Sequence, residues 1–137
     1  MNHFSLDIVT PTQNLDVIEV DYVRCPGIDG SFGIMANHQD GVFSLDIGEI
    51  MIQSKTETKF YSTSGGFAEI NENEVCLLVE TIELSSDIDI SRAESALKRA
   101  NERKTKISNE EVDEVRVESS LTRALNRLRV AKRLFEI

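Results

Sequence analysis

Apolar and polar residues alternate in short runs through the first two-thirds of the chain. Residues 4–10 have this period of two, and the sequence Pro-Thr-Gln-Asn at 11–14 ends the run as a turn. Residues 71–74 have the composition of a hairpin turn, and residues 75–79 are apolar throughout, which predicts a central strand covered on both faces. Eight to ten short strands with turns at this spacing predict a β-sandwich of about ten strands.

The hydrophobic period changes near Ser86, and the chain from there on predicts two helices. Asp89 is a favourable N-cap for the first helix, with Ser91 and Glu94 as an alternative capping box. This helix is expected to fade over residues 104–108. The apolar residues of the second helix are spaced four, three, four, three and four: Val117, Leu121, Ala124, Leu128, Ala131 and Phe135.

The two predicted helices form an antiparallel hairpin. Ser108 and Glu111 form a capping signature for the second helix, so the connection is short. The seam between the helices is narrow because the first helix contributes mainly alanines, and burial is worth only about 25 cal/mol per Å². The pattern leaves open whether the hairpin is fixed against the sandwich or can open and re-dock. We divide the chain into a sandwich domain, residues 1–86, and a two-helix domain, residues 87–137.

Charge is divided unevenly along the chain. The net charge is −9, but residues 1–90 carry −13 and residues 91–137 carry +4, and residues 119–135 contain no acidic side chain. Phosphate would repel the acidic bulk of the molecule, which argues against nucleic acid as a partner. The basic end favours an acidic protein surface or a small anion. The sequence has no run of about 20 apolar residues, so no membrane-spanning segment is predicted. The N-terminus lacks the pattern of a secretory signal. Both cysteines are therefore expected to stay reduced and to pack as small hydrophobes.

Residues 25–38 contain the most distinctive motif, three glycines spaced three apart and followed by His38. A phosphate-binding loop is one interpretation. However, a dinucleotide fingerprint needs its glycines to open a helix, and a P-loop ends in Gly-Lys-Ser/Thr. The next lysine is Lys55, and residues 32–35 have the pattern of a strand. We therefore interpret the glycines as turn residues between short strands.

No candidate for catalysis is complete in the sequence. His38 and Asp40 are the only histidine and carboxylate close together, and the further ligands or nucleophile that a metal or covalent site needs are missing. Ser64, Gly65 and Gly66 resemble part of a nucleophile elbow, but a strand follows them where that motif has a helix. We predict no catalytic residue and no metal site, and interpret His38 as a turn-stabilising residue.

The start of the first predicted helix is a candidate anion site. Free backbone N–H groups and Arg92 lie at the helix N-terminus, where the dipole favours anions, and Arg99 follows two turns later. Arg123 and Arg127 are four residues apart and share a face of the second helix. If the helices fold back on each other, the four arginines gather around a polyanion such as the phosphates of a nucleotide. The alternative is a solvated basic face, which spacing alone favours.

Four motifs together carry a family resemblance along the whole chain. They are Leu-Asp-Ile-Val-Thr-Pro at 6–11, Pro-Gly-x-x-Gly-x-x-Gly-Ile-Met-x-x-His at 26–38, Ser-Gly-Gly-Phe at 64–67 and Arg-Ala-Leu-Asn-Arg-Leu at 123–128. In this order they resemble the ε subunit family of the F-type ATP synthases of bacteria and chloroplasts. The chain departs from the family pattern at Asp40, where a proline is usual, and at Cys25, where a small apolar residue is usual. The resemblance implies a ten-stranded β-sandwich followed by a C-terminal helical hairpin.

The resemblance also implies a non-catalytic place in the rotor of the enzyme. Family members hold the sandwich against the γ subunit and the ring of c subunits, below the catalytic α and β subunits. The resemblance implies a peripheral protein at the cytoplasmic side of the bacterial plasma membrane, with the stromal side of the thylakoid membrane as the alternative that the bacterial type of ATP motif disfavours. The expected contact with γ or the c ring contains Gly30, Ser31, Phe32 and His38. In family members the regulatory hairpin can extend along γ and block ATP hydrolysis by meeting an acidic segment of β. The residues expected at that contact are Arg123, Arg127, Arg129, Lys132 and Arg133.

Some bacterial relatives bind ATP on the folded hairpin through the motif Ile/Leu-Asp-x-x-Arg-Ala, which residues 88–93 match. The resemblance thus implies an ATP site that contains Ile88, Asp89, Arg92 and Ala93. By the geometry above, Arg99, Arg123 and Arg127 join it. ATP would be a regulatory ligand, and no cofactor is required. The alternative from another functional class is a free-standing β-sandwich binding module whose helices dimerise through the seam at 117–135.

Overall fold

The computed structural model describes residues 3–106 and 114–135, excepting the side chains at 18, 106, 114, 134 and 135. The capping signature predicted at Ser108 and Glu111 lies outside these ranges. The chain divides into two compact units, Met1–Leu84 and Ser85–Ile137. The boundary that the sequence predicts lies two residues further on.

The described part of the first unit contains nine strands. They are β1 (Phe4–Val9), β2 (Asn14–Gly27), β3 (Gly30–Ile34), β4 (Gly41–Leu45), β5 (Gly48–Ser54), β6 (Thr58–Thr63), β7 (Gly66–Asn71), β8 (Glu74–Val79) and β9 (Ile82–Leu84). Their order by hydrogen bonding is β1-β8-β7-β4-β2-β5-β6-β9, with β3 paired to β2 and β1 paired to β2 as well. All pairs are antiparallel except β1 with β8. The predicted β-sandwich is confirmed.

Strand β2 belongs to both halves of this sandwich. Its first part pairs with β1, and its second part pairs with β3 and β5. The change of partner falls at a bulge, where the register shifts on both sides of Val20 and Glu19 adopts a φ of 58°. An extra residue in one strand bends it and increases its twist. The bend therefore lets one continuous strand join the two halves.

The core of the sandwich is built from the inward side of each alternating strand. In β1 the burial alternates, and Leu6 and Ile8 are fully buried. Strand β8 has a neighbour on each edge, as a central strand should, but the prediction that both its faces are covered was wrong. Val75 and Leu77 are buried, whereas Leu78 on the opposite face is 41% exposed. Apolar composition alone cannot tell an interior face from an exposed apolar surface.

Turn chemistry at two sites follows the sequence closely. The hairpin between β7 and β8 turns at Glu72 and Asn73, both with positive φ, as a two-residue turn of this kind requires. Gly65 and Gly66 have φ of 110° and 150° between β6 and β7. A Cβ atom on Gly66 would lie 2.0 Å from the carbonyl oxygen of Leu78. Only glycine fits this close approach of two backbones.

The described part of the second unit contains two α-helices and two short 3-10 helices. They are the 3-10 helix Ser85–Asp87, α1 (Ile90–Lys106), α2 (Glu114–Ala131) and the 3-10 helix Lys132–Phe135. The predicted start of the first helix is confirmed, and α1 is described as far as Lys106. The second α-helix ends at Ala131, earlier than the apolar spacing predicts, and the chain continues to Phe135 as the tighter 3-10 form that commonly ends a helix.

The helices are antiparallel and pack through a narrow seam. Lys104 Nζ, near the end of α1, lies 3.4 Å from Glu118 Oε1, near the start of α2. On α1 the buried seam residues are only alanines, Ala93 and Ala100. On α2 the buried residues include the predicted Val117, Ala124, Leu128 and Ala131, and also Asn126 and Val130, which a single seam does not predict.

Substitution of Gly66 should test the close approach of β7 to β8. Gly66→Ala forces a Cβ atom into the backbone of Leu78 at a φ that disfavours side chains, so we expect a loss of about 2–4 kcal/mol in the free energy of unfolding. Urea denaturation of the full chain measures this loss. Gly30→Ala is the matched control, because φ is also positive there but no atom lies within 4 Å. A loss no greater than that of the control would contradict the steric explanation.

Substitution of Asp89 should test the start of α1. Asp89 Oδ1 accepts a hydrogen bond from the Arg92 N–H at 3.1 Å, so Asp89→Ala should cost about 1 kcal/mol. Asp89→Asn keeps an acceptor oxygen and should cost less, and Ser91→Ala should be close to neutral because Ser91 is not the cap. Thermal unfolding monitored by helical circular dichroism compares the three. A larger loss for Ser91→Ala would support the alternative capping box instead.

Candidate functional site

The start of α1 is organised by Asp89. Its side chain accepts the Arg92 N–H, and its backbone carbonyl accepts the Ala93 N–H at 3.0 Å. Ile88 and Ala93 occupy the two positions at which apolar residues stabilise a helix start, and both are buried. Three of the four motif residues at 88–93 are thus used to begin the helix.

Arg92 is the motif residue that the helix start leaves available to a ligand. Its side chain is 85% exposed, and its Nε lies 3.9 Å from Asp89 Oδ2. An ion pair this long and this exposed contributes little to stability. The guanidinium is therefore able to turn towards an anion at the helix N-terminus with little loss of folding energy.

The antiparallel register relates the arginines of the two helices. The ion pair between Lys104 and Glu118 shows that these two residues lie at the same height along the hairpin axis. Because the helices are antiparallel, Arg99 and Arg123, each five residues away from that pair, also lie at the same height. Arg92 lies seven residues beyond Arg99, about 10 Å along the axis, and Arg127 lies four residues beyond Arg123, about 6 Å. The four side chains thus fall within one stretch of the hairpin.

The same four arginines share one side of the hairpin. Each residue advances about 100° around the helix axis. On this basis each arginine side chain points roughly 80–120° away from the middle of the seam on its own helix, and all four are rotated in the same sense. In an antiparallel pair, equal rotational sense places residues on the same side. Lys104 and Glu118 are turned in the opposite sense, and their observed contact agrees with this geometry.

The environments of these arginines differ. Arg99 and Arg123 are exposed, and Arg127 is half-buried. Arg123 Nη2 donates to Ser120 Oγ at 3.2 Å on its own helix. The arrangement is a row of guanidinium groups beside a helix N-terminus, which can bind a polyanion through charge and charge-assisted hydrogen bonds.

The residues expected at the contact with a β subunit are spread more widely. Arg123 and Arg127 belong to the arginine side, whereas Arg129 is exposed on the other side of α2 by the same helical geometry. Lys132 is exposed and Arg133 half-buried in the closing 3-10 helix. The structure of the hairpin therefore does not collect these five residues on one face.

The residues predicted to contact γ or the c ring lie on β3 and in the loop that joins β3 to β4. Gly27 and Gly30 face each other in the hairpin of β2 and β3, and Ser31 is exposed. Phe32 packs on Phe43 with ring centroids 5.3 Å apart, and the His38 ring meets Phe43 edge-on at 5.8 Å.

The same stretch exposes two apolar side chains that sequence reasoning missed. Ile28, in the turn, is 62% exposed, and Met35, just after β3, is 63% exposed. Both side chains are exposed because they lie just beyond the end of a strand, and apolar composition does not show where a strand ends. Large exposed apolar side chains around a loop are typical of a protein contact.

The structure gives the remaining chemical candidates local roles. The His38 Nδ1 lies 2.8 Å from the carbonyl oxygen of Gln39, and Asp40 Oδ1 accepts the Glu72 N–H at 3.0 Å. Both residues thus stabilise turns, as predicted for His38. Gly27 and Gly30 flank the β2–β3 turn, and Gly30 has a positive φ of 121°, so the turn interpretation holds for this pair. It was wrong for Gly33, which lies within β3 opposite Arg24. Over residues 3–106 and 114–135, no three His, Cys, Asp or Glu side chains are grouped as metal ligands.

The cysteines are free thiols. Cys25 is fully buried in the core, and burial raises its pKa to about 12, so it packs as a small hydrophobe as expected. Cys76 is half-buried on the outer face of β8, where burial and the charges of Asp7 and Glu69 raise its pKa.

The outer face of β4, β7, β8 and β1 carries a feature that sequence reasoning missed. Val42, Phe67 and Leu78 are 67%, 51% and 41% exposed there. Beside them, Asp7 on β1 lies directly opposite Asp16 on β2. A hydrogen bond with Asp16, then desolvation and the negative charges of Asp16 and Glu74, raise the pKa of Asp7 above its usual value. The sequence does not show that Asp7 and Asp16 are neighbours, because their proximity depends on how β1 and β2 pair.

Family models match nearly the whole chain. The model of the β-sandwich domain of ATP synthase delta/epsilon chains matches residues 3–85, and that of their long α-helix domain matches residues 86–132. Among solved structures, a chain of the mitochondrial ATP synthase of Euglena gracilis (OSCP/F1/c-ring) has a TM-score of 0.76 at 23% identity, covering 88% of this chain and 76% of that one. A chain of the Tetrahymena thermophila mitochondrial ATP synthase (central stalk/c-ring) has a TM-score of 0.58 at 12% identity, covering 95% and 94%. These two show a shared fold.

Curated relatives match at higher identity. The ATP synthase epsilon chain of Nitratidesulfovibrio vulgaris (strain DP4) is 42% identical over 125 residues, which cover 91% of this chain and 92% of the relative. The ATP synthase epsilon chain of Syntrophomonas wolfei is 38% identical over 131 residues, which cover 95% of each. Because both units match in order and nearly in full, the chain belongs to the ATP synthase delta/epsilon chain family.

Proposed function

We propose that this chain is a non-catalytic subunit of the central stalk of an F-type ATP synthase. In this role the sandwich contacts the γ subunit and the c ring, turns with them below the α and β subunits, and couples ion flow to ATP synthesis. The observation that carries the proposal is the match of both family domains over almost the full length of the chain. The two solved structures with this fold, which come from a c-ring assembly and from a central stalk with its c ring, support it.

Two further observations support an accessory and peripheral role. His38 and Asp40, the best catalytic candidates, each have a hydrogen bond that stabilises a turn. No helix within the described ranges is long and apolar enough to cross a membrane. We assign the subunit to the membrane surface on the cytoplasmic side, where it is held by its partners.

The hairpin supplies a proposed inhibitory element. Its seam on α1 is made mainly of alanines, so separating the helices exposes little apolar surface. The end of α2 and the following 3-10 helix carry Arg129, Lys132 and Arg133 with no acidic residue among them. An acidic segment of β would complement this charge and hold the extended hairpin in a position that blocks ATP hydrolysis.

ATP is the proposed regulatory ligand of the folded hairpin. The four arginines on one side provide charge for the phosphates, and Asp89 positions the helix N-terminus beside them. Arg123 and Arg127 belong both to this site and to the proposed contact with β. A nucleotide bound to them would therefore favour the folded hairpin over the inhibitory one.

The alternative, a free-standing module that dimerises through the seam of α2, has less support. In this structure α1 already packs on that seam, and Val117, Ala124 and Leu128 are buried within the single chain. Dimerisation would first have to displace α1.

Titration with ATP should test the nucleotide site. We expect saturable binding to the full chain by isothermal calorimetry, in the presence and absence of magnesium, and a Kd weakened about tenfold or more by Arg92→Ala, because a charge-assisted hydrogen bond is worth about 1.5–3 kcal/mol. Lys104→Ala removes an equal charge on the opposite side and should leave Kd within about twofold. No binding at millimolar ATP, or equal effects of both substitutions, would reject the site.

Removal of the hairpin should test inhibition. In the reconstituted enzyme, deletion of residues 88–137 should raise ATP hydrolysis several-fold while the sandwich still assembles. A triple variant, Arg129→Ala with Lys132→Ala and Arg133→Ala, keeps the hairpin but removes charge and should give partial relief. Unchanged hydrolysis after the deletion would mean that the hairpin has no inhibitory role here.

A further inference from the structure

The turn between β7 and β8 carries a side chain at a position that favours glycine. Asn71 pairs with Glu74, so the turn has two central residues, Glu72 and Asn73, with φ of 48° and 65°. Turns of this kind need positive φ at both positions, and glycine is favoured at the second because it meets no steric cost there. An asparagine at that position accepts some backbone strain, which the contacts of its side chain offset.

The Asn73 side chain joins three separate segments of the sandwich. Its Oδ1 accepts the N–H of Asn37, in the loop between β3 and β4, at 2.8 Å. Its Nδ2 donates to the carbonyl oxygen of His3, just before β1, at 3.2 Å. Because both polar atoms of the amide bond to the backbone of other segments, Asn73 is a bridge as well as a turn residue.

A second hydrogen bond joins the same two loops. Asp40 Oδ1, near the end of the β3–β4 loop, accepts the Glu72 N–H at 3.0 Å. The loops are close together because β4 follows one of them, β7 precedes the other, and these two strands pair. We refer to the two hydrogen bonds between the loops, Asn37–Asn73 and Asp40–Glu72, as the clasp.

The part of the β3–β4 loop that the clasp holds is a tight turn. The His38 N–H donates to the carbonyl oxygen of Met35 at 3.2 Å, and Asn37, the third residue of the turn, has a φ of 63°. Positive φ at the third position is the mark of a type II turn, where glycine or asparagine is usual. Ala36, the second residue, packs against the core. The turn is therefore fixed by Ala36 in the core and by Asn73 at its third residue.

This turn presents an apolar side chain to solvent. Met35 is 63% exposed, and the His38 ring meets Phe43 edge-on at 5.8 Å. A partner that binds a free loop must also order its backbone, and that ordering reduces the affinity. A turn that is already held in one conformation avoids this cost, so the clasp preorganises whatever contact Met35 and His38 make.

We propose that Asn73, assisted by Asp40, is a positioning residue for the contact with the rotor, because it holds residues 35–38 in the conformation that the partner meets. The inference rests on the proposed function, which supplies the partner and includes His38 in the contact. It adds that a residue of the β7–β8 turn, outside the proposed contact, sets the affinity of a contact carried by another loop.

The clasp is tested first in the full chain alone. Asn73→Gly removes the side chain and permits positive φ, so hydrogen exchange at the Asn37 amide, followed by NMR, should become about two- to tenfold faster. Exchange at β8 amides such as that of Leu77 should not change, because the sheet stays folded. Asn73→Asp keeps an acceptor for the Asn37 N–H and loses only the donor to His3, so Asn37 should stay protected. Unchanged exchange at Asn37 in Asn73→Gly would overturn the clasp, whatever the binding experiment shows.

Positioning is tested by the affinity of the full chain for a complex of its own γ subunit and c ring, measured by biolayer interferometry. Asn73→Gly should weaken the Kd about two- to tenfold, and Asp40→Ala should act in the same direction. Asn73→Asp should stay within about twofold of the native chain. Thr10→Ala is the matched control, because it removes hydrogen bonds of the β1–β2 turn, at the opposite end of β1 from the β7–β8 turn, and should leave the Kd unchanged.

A double substitution separates positioning from a general loss of stability. Met35→Ser removes the apolar contact, so Asn73→Gly should have little further effect on the Kd in that background. Native affinity in Asn73→Gly, an equal loss in Asn73→Asp, or additive effects with Met35→Ser would overturn the positioning role while leaving the central-stalk role intact. No binding of the native chain would overturn the proposed function and the positioning role together.

Discussion

The sandwich depends on one strand being shared by both of its halves. β2 pairs with β1 before its bulge and with β3, β5 and, at Gly27, β4 after it, so the bend at Glu19 is one of the points at which the hydrogen-bonded ladder passes from one half to the other. A residue with positive φ that is not glycine is strained, and the pairing on both sides of the bulge holds it in place. Strands β3 and β4, which carry Phe32 and Phe43, both pair with the second half of the same strand.

Close backbone approach is the other constraint on the sandwich. Gly66 lies against the backbone of Leu78, which brings β7 and β8 together at the end of the β6–β7 turn. The outward side chains of those strands, Phe67 and Leu78, are consequently adjacent. A geometric requirement of the fold thus also places these two exposed apolar side chains side by side.

The helical unit is stabilised in a different way. The buried residues on the α1 side of the seam are alanines, so their burial contributes little to the stability of the helix pair. The N-cap at Asp89 is correspondingly important for fixing where α1 begins. By helical geometry the four arginines lie outside this seam. A narrow seam can open at small energetic cost, which the proposed response of the hairpin to a nucleotide and to neighbouring subunits would require.

Much of this architecture follows from interactions between residues that are close together in the sequence. The alternation in β1, the turn at Glu72 and Asn73, the paired glycines at 65 and 66 and the cap at Asp89 each depend on interactions within a few residues, and each was predictable for that reason. The end of α2 at Ala131 was not predicted, because no local breaker marks it. The exposed face of β8 was also missed, since apolar composition does not reveal which neighbours cover a strand.

The sequence by itself determined the strands, the turns, the two helices, the division of charge and the motif that begins α1, because these follow from backbone preference and short-range spacing. Only the tertiary structure decided which side chains from distant segments meet. Asp7 faces Asp16 because β1 and β2 pair in one register, and a shift of one residue would separate them. Arg99 and Arg123 share a side because the helices pack antiparallel through their alanines. Both groupings depend on contacts between separate elements, and so on packing that no local pattern specifies.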